Sequence, residues 1–193
     1  KLKKNTKKRI FFFKISLNNF HELESIFMQF KISAILHFAG FKSVSDSFKY
    51  PSNYYYNNVI GSKNLFDFAI KYNVENIIFS SSATVYGKTK RLPALESNPL
   101  QALNPYGQNK IDIENYLLKI KKNISIKILR YFNPVGADNS NITGEIPLGT
   151  PNNLMPYILK VANKEFPYLS VYGSDYKTID GTGMRDYIHI SDL

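Results

Sequence analysis

Residues 76–87 read NIIFSSSATVYG. After Asn76 comes a continuous apolar run, Ile77 to Phe79, as expected for a strand of a parallel sheet buried on both faces, and three serines follow where such a strand would end. Similar short runs flank it: RIFFFKIS at 9–16, SAILHF at 33–38 and SIKILRYF at 125–132. Between them lie segments of helical period, at Asn19 to Phe30, Asn53 to Lys71 and Pro105 to Lys121. Strands alternating with helices are the signature of βαβ units around a parallel sheet, so the fold class is α/β. After Asn133 the character changes. Pro134, Pro147, Pro151, Pro156 and Pro167, with five glycines from Gly136 to Gly181, predict loops and short elements. The expected division is therefore 1–133 and 134–193.

The 193 residues suffice for one domain, or most of one, and 44% apolar with 21% charged residues is ordinary for a folded protein. A net charge of +10 raises the question of nucleic acid. Lys1, Lys3, Lys4, Lys7, Lys8, Arg9 and Lys14 supply seven of those ten, leaving three for the other 179 residues. A solvated basic end accounts for this, and no nucleic-acid partner is expected. No apolar run approaches the ~20 residues that span a bilayer, and the block FFF is too short and too flanked by charge for a secretory signal. No membrane partner and a cytoplasmic location are expected. With no cysteine, disulfides, zinc-thiolate sites and thiol nucleophiles are all excluded.

Open parallel sheets bind ligands outside the carboxyl ends of their strands. The loops there read AGFKSVSDS after Phe38, SATVYGK after Ser81 and NPVGADNS after Phe132. Two tyrosines stand four residues before a lysine, Tyr86/Lys90 and Tyr106/Lys110. The first pair lies in a loop, beside Gly87 and RLP. The second follows Asn104 and Pro105, an N-cap and a first-turn proline, so its side chains share one helix face. An exposed surface pair is one reading. The other is a phenol whose pKa an ammonium lowers toward neutrality, making it a usable base. Ser80, Ser81 and Ser82 favour the second, because a hydroxyl at a strand end can hydrogen-bond a substrate without carrying charge. A nucleophilic serine is not indicated, since the stretch lacks the G-x-S-x-G elbow.

Serine at a strand end followed by Tyr-x-x-x-Lys, together with HFAGFKSV, YYYNNVIGS, LRYFNPVGA, PNNLMPYI and DGTGMRDYIHISDL, resembles the extended, nucleotide-sugar branch of the short-chain dehydrogenase/reductase superfamily, and within it the UDP-glucose 4-epimerases. The resemblance runs from about Phe12 to Leu193. It implies a Rossmann-like, doubly wound parallel sheet holding NAD, lacking its first βαβ unit, followed by part of a small region that binds the UDP-hexose substrate. By matching position, it implies that Tyr106 is the catalytic acid/base, that Lys110 anchors the nicotinamide ribose and lowers the phenol's pKa, and that Ser82 bonds the sugar hydroxyl. Phe38, Ala39, Gly40, Lys42, Asn57 and Tyr131 are the implied NAD contacts. Asn133, Asn153, Leu154, Ser170, Tyr172 and Arg185 are the implied UDP contacts, and the arginine fork suits a diphosphate. No metal is implied. The implied reaction interconverts UDP-glucose and UDP-galactose through a transient 4-keto sugar.

Three departures accompany the resemblance. The family's glycine-rich G-x-x-G-x-x-G turn is missing, the first glycine being Gly40; Ser16 stands where an aspartate usually contacts adenine; and Ser191 and Asp192 look like the cap of a helix that does not follow. A fragment of a longer protein is expected on these grounds. An inactive truncated product and an epimerase of UDP-N-acetylhexosamines are the alternatives, whereas a 4,6-dehydratase would carry Asp-Glu on the serine loop. A homodimer formed through the two long helices is expected for the full-length protein.

Overall fold

The computed structural model describes residues 9–89, 92–121, 124–140 and 144–193. These form two compact units, one of Phe12–Tyr131 and one of Phe132–Leu193 with residues 9–11. In the first, strands β1 (Ala34–His37), β2 (Asn76–Ser82) and β3 (Ser125–Tyr131) make a parallel sheet in that order. Its register pairs Ala34 with Asn76 and His37 with Phe79, then Asn76 with Ser125 and Ser82 with Tyr131. Helix α1 (Phe20–Gln29) precedes the sheet, capped by Asn19, whose Oδ1 accepts the Glu22 amide at 3.3 Å. Between β1 and β2 come α2 (Val44–Lys49), α3 (Pro51–Tyr54), a π-helical turn (Tyr55–Ile60) and α4 (Gly61–Lys71). A 3₁₀ turn (Ala83–Tyr86) and α5 (Pro105–Ile120) join β2 to β3.

Two expectations are corrected. The run 9–16 forms no strand, and Phe12 is 82% exposed. A strand stands only where a neighbour completes its hydrogen bonds, and among the described residues β1 pairs with β2 alone. Side-chain packing holds the run instead: Phe13 meets Phe30 edge-on at 5.8 Å, and Ile15 and Leu17 rest on the core. The segment 53–71 is helical but not one α-helix. Asn18 Nδ2 donates to the Tyr56 carbonyl at 3.2 Å, and Asn64 Nδ2 to that of Leu17 at 3.1 Å, so the 17–18 loop is laced onto the widened turn. Gly61 follows because a Cβ there would sit 3.1 Å from Leu17 Cβ.

The core lies between the sheet and α1, α4 and α5. Ile35, Ile77 and Phe79 pack there with Leu23, Phe27, Phe66, Phe68, Ile113 and Leu117, all buried. Alternate positions turn the other way, and Leu36 is 61% exposed, so burial alternates along β1 although its sequence is continuously apolar.

Two polar clusters are buried with this core. Glu114, 1% exposed, accepts Arg130 Nη2 at 2.7 Å and Nε at 3.1 and 3.3 Å, and also the Ser81 hydroxyl. Arg130 Nη1 continues to Tyr86 Oη at 3.0 Å and the Glu96 carbonyl at 3.2 Å. Helix α5 and strands β2 and β3 thus meet on one carboxylate, and Arg130 extends the network to Tyr86 and Glu96. His37, 3% exposed, stacks on Phe79 and meets the Ser62 hydroxyl at 2.7 Å. Because the Ser62 proton goes to the Asn58 carbonyl, Nε2 of His37 is the donor. Burial, aided by the nearby Lys110 charge, depresses its pKa to about 4.

In the second unit β4 (Asn133–Val135) and β5 (Tyr187–His189) pair in parallel, followed and preceded by loops and by helix α6 (Leu154–Ala162). Gly136, at φ +105°, lies against the His189 ring, where a Cβ would be 2.1 Å from Nε2. The Ser191 hydroxyl and amide both meet His189 Nδ1, at 2.6 and 3.2 Å.

Arg130→Met strands a buried carboxylate and should lower the unfolding free energy by about 3 kcal/mol, at the lower end for such pairs because the arginine is partly exposed. The double variant Glu114→Leu/Arg130→Met should recover most of that loss in urea denaturation. His37 binds a proton near pH 6.5 when unfolded and only near 4 when folded, so the unfolded state is favoured as pH falls through that window. Stability should drop by on the order of 3 kcal/mol between those pH values, and His37→Phe should remove that part of the pH dependence.

Candidate active site

The parallel register brings the carboxyl ends of β1, β2 and β3 side by side, at Phe38, Ser82 and Tyr131. The three serines part ways there. Ser81 turns inward to Glu114, Ser80 offers its carbonyl to Lys110, and Ser82 closes the strand by capping the 3₁₀ turn. Its Oγ accepts the Thr84 amide at 3.3 Å and the Thr84 hydroxyl at 3.0 Å.

Asn104 caps α5, its Oδ1 taking the Gly107 amide at 2.7 Å, and Pro105 opens the first turn. Tyr106 and Lys110 therefore stand one turn apart, and the Lys110 ammonium lies 5.6 Å from the Tyr106 ring centre. Lys110 is only 7% exposed. Its Nζ donates to the Ser80 carbonyl at 2.6 Å and sits 4.8 Å from the Phe79 ring centre. Burial lowers its pKa to about 8, against the opposing pull of Glu114. The phenol differs from the expectation. Its pKa is raised, chiefly by burial, while the Ser82 hydroxyl acts in the lowering direction and Tyr54 adds to the rise. The Lys110 charge is engaged with the Ser80 carbonyl and the Phe79 ring, so it does not overcome that burial. Tyr86, the other tyrosine of the sequence pattern, is absorbed by Arg130, and its Lys90 lies outside the described residues.

Phe38, Ala39, Gly40 and Lys42 form the loop leaving β1, and an unanticipated residue holds it. Asn58, buried in the π-helical turn, accepts the Phe41 amide at 2.8 Å and donates to the Phe41 carbonyl at 3.0 Å. Gly40, at φ +148°, presents a bare Cα to the same amide, where a Cβ would lie 3.1 Å from Oδ1. Asn57 lies beside this clamp, donating to Asn58 Oδ1 at 2.9 Å. The adjacent pair NN and the following Gly61 were the signal in the sequence, but it does not say which asparagine turns inward. Tyr131 closes β3 with its phenol raised by burial. Ser16 is exposed, its hydroxyl holding the Asn18 amide at 3.2 Å.

The second unit contains a cavity of ≈ 930 Å³, and Asn133, Asn153, Leu154, Ser170, Tyr172 and Arg185 all line it. Asn133 Nδ2 donates to the Asp186 carbonyl at 2.8 Å, Asn153 Nδ2 to Glu145 Oε1 at 2.8 Å, and Arg185 Nη1 to the Met184 carbonyl at 2.7 Å. Leu169, Tyr176 and Tyr187 also line the cavity, so aromatic and apolar surface stands beside these polar groups.

The family model for the NAD dependent epimerase/dehydratase family matches residues 1–193. The chain is 48% identical to UDP-glucose 4-epimerase 2 of Arabidopsis thaliana over 96% of its own length and 54% of the relative's. It is 46% identical to the UDP-glucose 4-epimerase of Bacillus subtilis, covering all of this chain and 58% of that protein. The crystal structure of the Bifidobacterium longum UDP-glucose 4-epimerase, in complex with NAD+ and UDP, superposes on 99% of this chain and 58% of its own, with a TM-score of 0.92 and 43% identity. The chain thus spans about half the length of the curated relatives it matches. Its parallel, Rossmann-like sheet and its matched sequence together establish that the chain belongs to the NAD dependent epimerase/dehydratase family.

Proposed function

We propose that this chain is the catalytic part of an NAD-dependent epimerase that interconverts UDP-glucose and UDP-galactose at C4 of the hexose. The observation that carries this reading is the convergence of Ser82, Tyr106 and Lys110 at the carboxyl end of β2, in a chain whose relatives are UDP-glucose 4-epimerases. The donor set fits NAD. A hydroxyl, a phenol and an ammonium suit the hydroxyls of a ribose. Phe38, Ala39, Gly40, Lys42, Asn57 and Tyr131, with Tyr106 and Lys110, would hold it. NAD, when bound, supplies the hydride acceptor and donor for C4.

The chain's own residues handle the proton. Tyr106 Oη removes it from the sugar 4-hydroxyl and later returns it, and the Ser82 hydroxyl acts to lower the phenol's pKa. The phenol has to be ionised before it can act as a base, and its pKa is raised in this state, so turnover should climb with pH. Lys110, buried one turn away, favours the phenolate once its charge faces the phenol. In the second unit the Arg185 fork, with Asn133, Asn153 and Ser170, would hold the diphosphate and uridine. Grip on that end, remote from C4, keeps the keto sugar bound while either of its faces is presented.

In the whole protein, Tyr106→Phe should reduce kcat for UDP-galactose by about 10²–10⁴-fold, the usual contribution of a positioned acid/base. Retention of full turnover would overturn the role assigned to it. Arg185→Ala should raise KM about tenfold and leave kcat nearly unchanged, because a diphosphate contact is made equally in ground and transition states.

A further inference from the structure

The stretch from His37, the last residue of β1, to Phe41 is tied at both ends to one turn of helix, residues 58–62. At its near end His37 Nε2 donates to the Ser62 hydroxyl at 2.7 Å, and that hydroxyl donates to the Asn58 carbonyl. At its far end the Asn58 side chain accepts the Phe41 amide at 2.8 Å and donates to the Phe41 carbonyl at 3.0 Å. The circuit closes on Asn58, whose backbone answers one end and whose side chain answers the other. Between the ties lie Phe38, Ala39 and Gly40, and Lys42 follows, all four assigned above to NAD. We propose that Asn58 is a positioning residue that holds this loop in its cofactor-binding form before NAD arrives.

The chemistry of the side chain fits that task. A primary amide sets an acceptor and a donor side by side, which is what a neighbouring strand would offer to one residue of backbone. Its direction is fixed as well, since the reversed amide would face donor to donor and acceptor to acceptor across Phe41. Oδ1 has a second lone pair, and Asn57 Nδ2 donates to it at 2.9 Å, so the same group also orients another residue assigned to the cofactor. Asn58 is 4% exposed, which keeps water from competing for these bonds. Gly40 allows the backbone to come this close, because a Cβ there would lie 3.1 Å from Oδ1. Burial of the loop's own rings does not hold it. Phe38 is 60% and Phe41 47% exposed, and the Phe41 ring leans on Tyr54 at 5.3 Å between centres.

The consequence is a gain in affinity. A loop that becomes ordered only on binding loses its backbone freedom at that moment, and the loss weakens the complex. A loop held beforehand has already lost that freedom on folding. The proposal rests on the function proposed above for the identity of the ligand, but the state of the loop is read without turnover.

The test uses the whole protein freed of nucleotide. Hydrogen exchange at the Phe41 amide should be about a hundredfold or more slower than in an unstructured peptide, without NAD, and Asn58→Ala should bring it close to the unstructured rate. By calorimetry, Asn58→Ala should weaken NAD binding about tenfold and leave UDP binding unchanged. Should Asn58→Ala not fold, Asn58→Leu, which keeps the volume and removes both bonds to Phe41, is measured in its place. A Phe41 amide that is unprotected until NAD is added overturns the proposal, as does an NAD affinity that the substitution leaves alone. Equal weakening of NAD and UDP would mark Asn58 as a residue of general stability and overturn it too. A wild-type protein that binds no NAD would sink both readings. One that binds NAD and shows the Asn58 effects, but inverts no UDP-hexose, would sink the proposed function and leave the Asn58 assignment standing.

Discussion

A carboxylate with 1% exposure is tolerable only if every lone pair is answered, and Glu114 is answered from two strands. Arg130 grips it from β3, Ser81 from β2, and the same guanidinium reaches the Tyr86 phenol and the Glu96 carbonyl in the loop beyond. Glu114 stands one turn beyond Lys110 and two beyond Tyr106 on α5. Pinning it therefore sets both the rotation and the height of that helix against the strand that ends in Ser82. Tyr106 and Lys110 come to the carboxyl end of β2 because this ion pair fixes where the helix sits.

The same economy governs the loop after β1. A chain leaving a parallel strand has backbone amides and carbonyls without ladder partners, and Asn58 supplies both in place of a neighbouring strand. Its position depends on the π-helical turn, which adds a residue to the helix and turns position 58 inward. The buried His37, donating to Ser62, and Ser62, donating to the Asn58 carbonyl, steady that turn from beneath. Lys110 adds a charge to this region, which helps keep His37 neutral.

Some of this was legible in the residues alone. The α/β alternation, the strand ends near Phe38, Ser82 and Tyr131, and the start of α5 at Asn104–Pro105 follow from local chemistry: apolar runs, capping side chains and the fixed φ of proline. The spacing of Tyr106 and Lys110 places them on one helix face whatever the surroundings. Other features were not legible. The run 9–16 has the composition of a strand without becoming one, because strand formation is decided by a partner and not by the run itself. The pair Asn57–Asn58 does not reveal which residue faces inward, because that depends on an extra residue in a helical turn. Nor does the triplet Ser80–Ser81–Ser82 announce that its members will offer a carbonyl, a buried link to Glu114 and a cap for the 3₁₀ turn.

What the sequence determined by itself is the list of parts and their local order: a strand tip bearing hydroxyls, then a capped helix carrying a phenol and an amine one turn apart. These are short-range facts, set by bond rotation, capping and helical periodicity. What only the tertiary structure decided is the company each part keeps. Burial raises the phenol's pKa instead of lowering it, brings the amine to about 8, and commits its charge to the Ser80 carbonyl. Desolvation and hydrogen-bond direction depend on atoms far apart in the chain, so no reading of neighbours along the sequence could supply them.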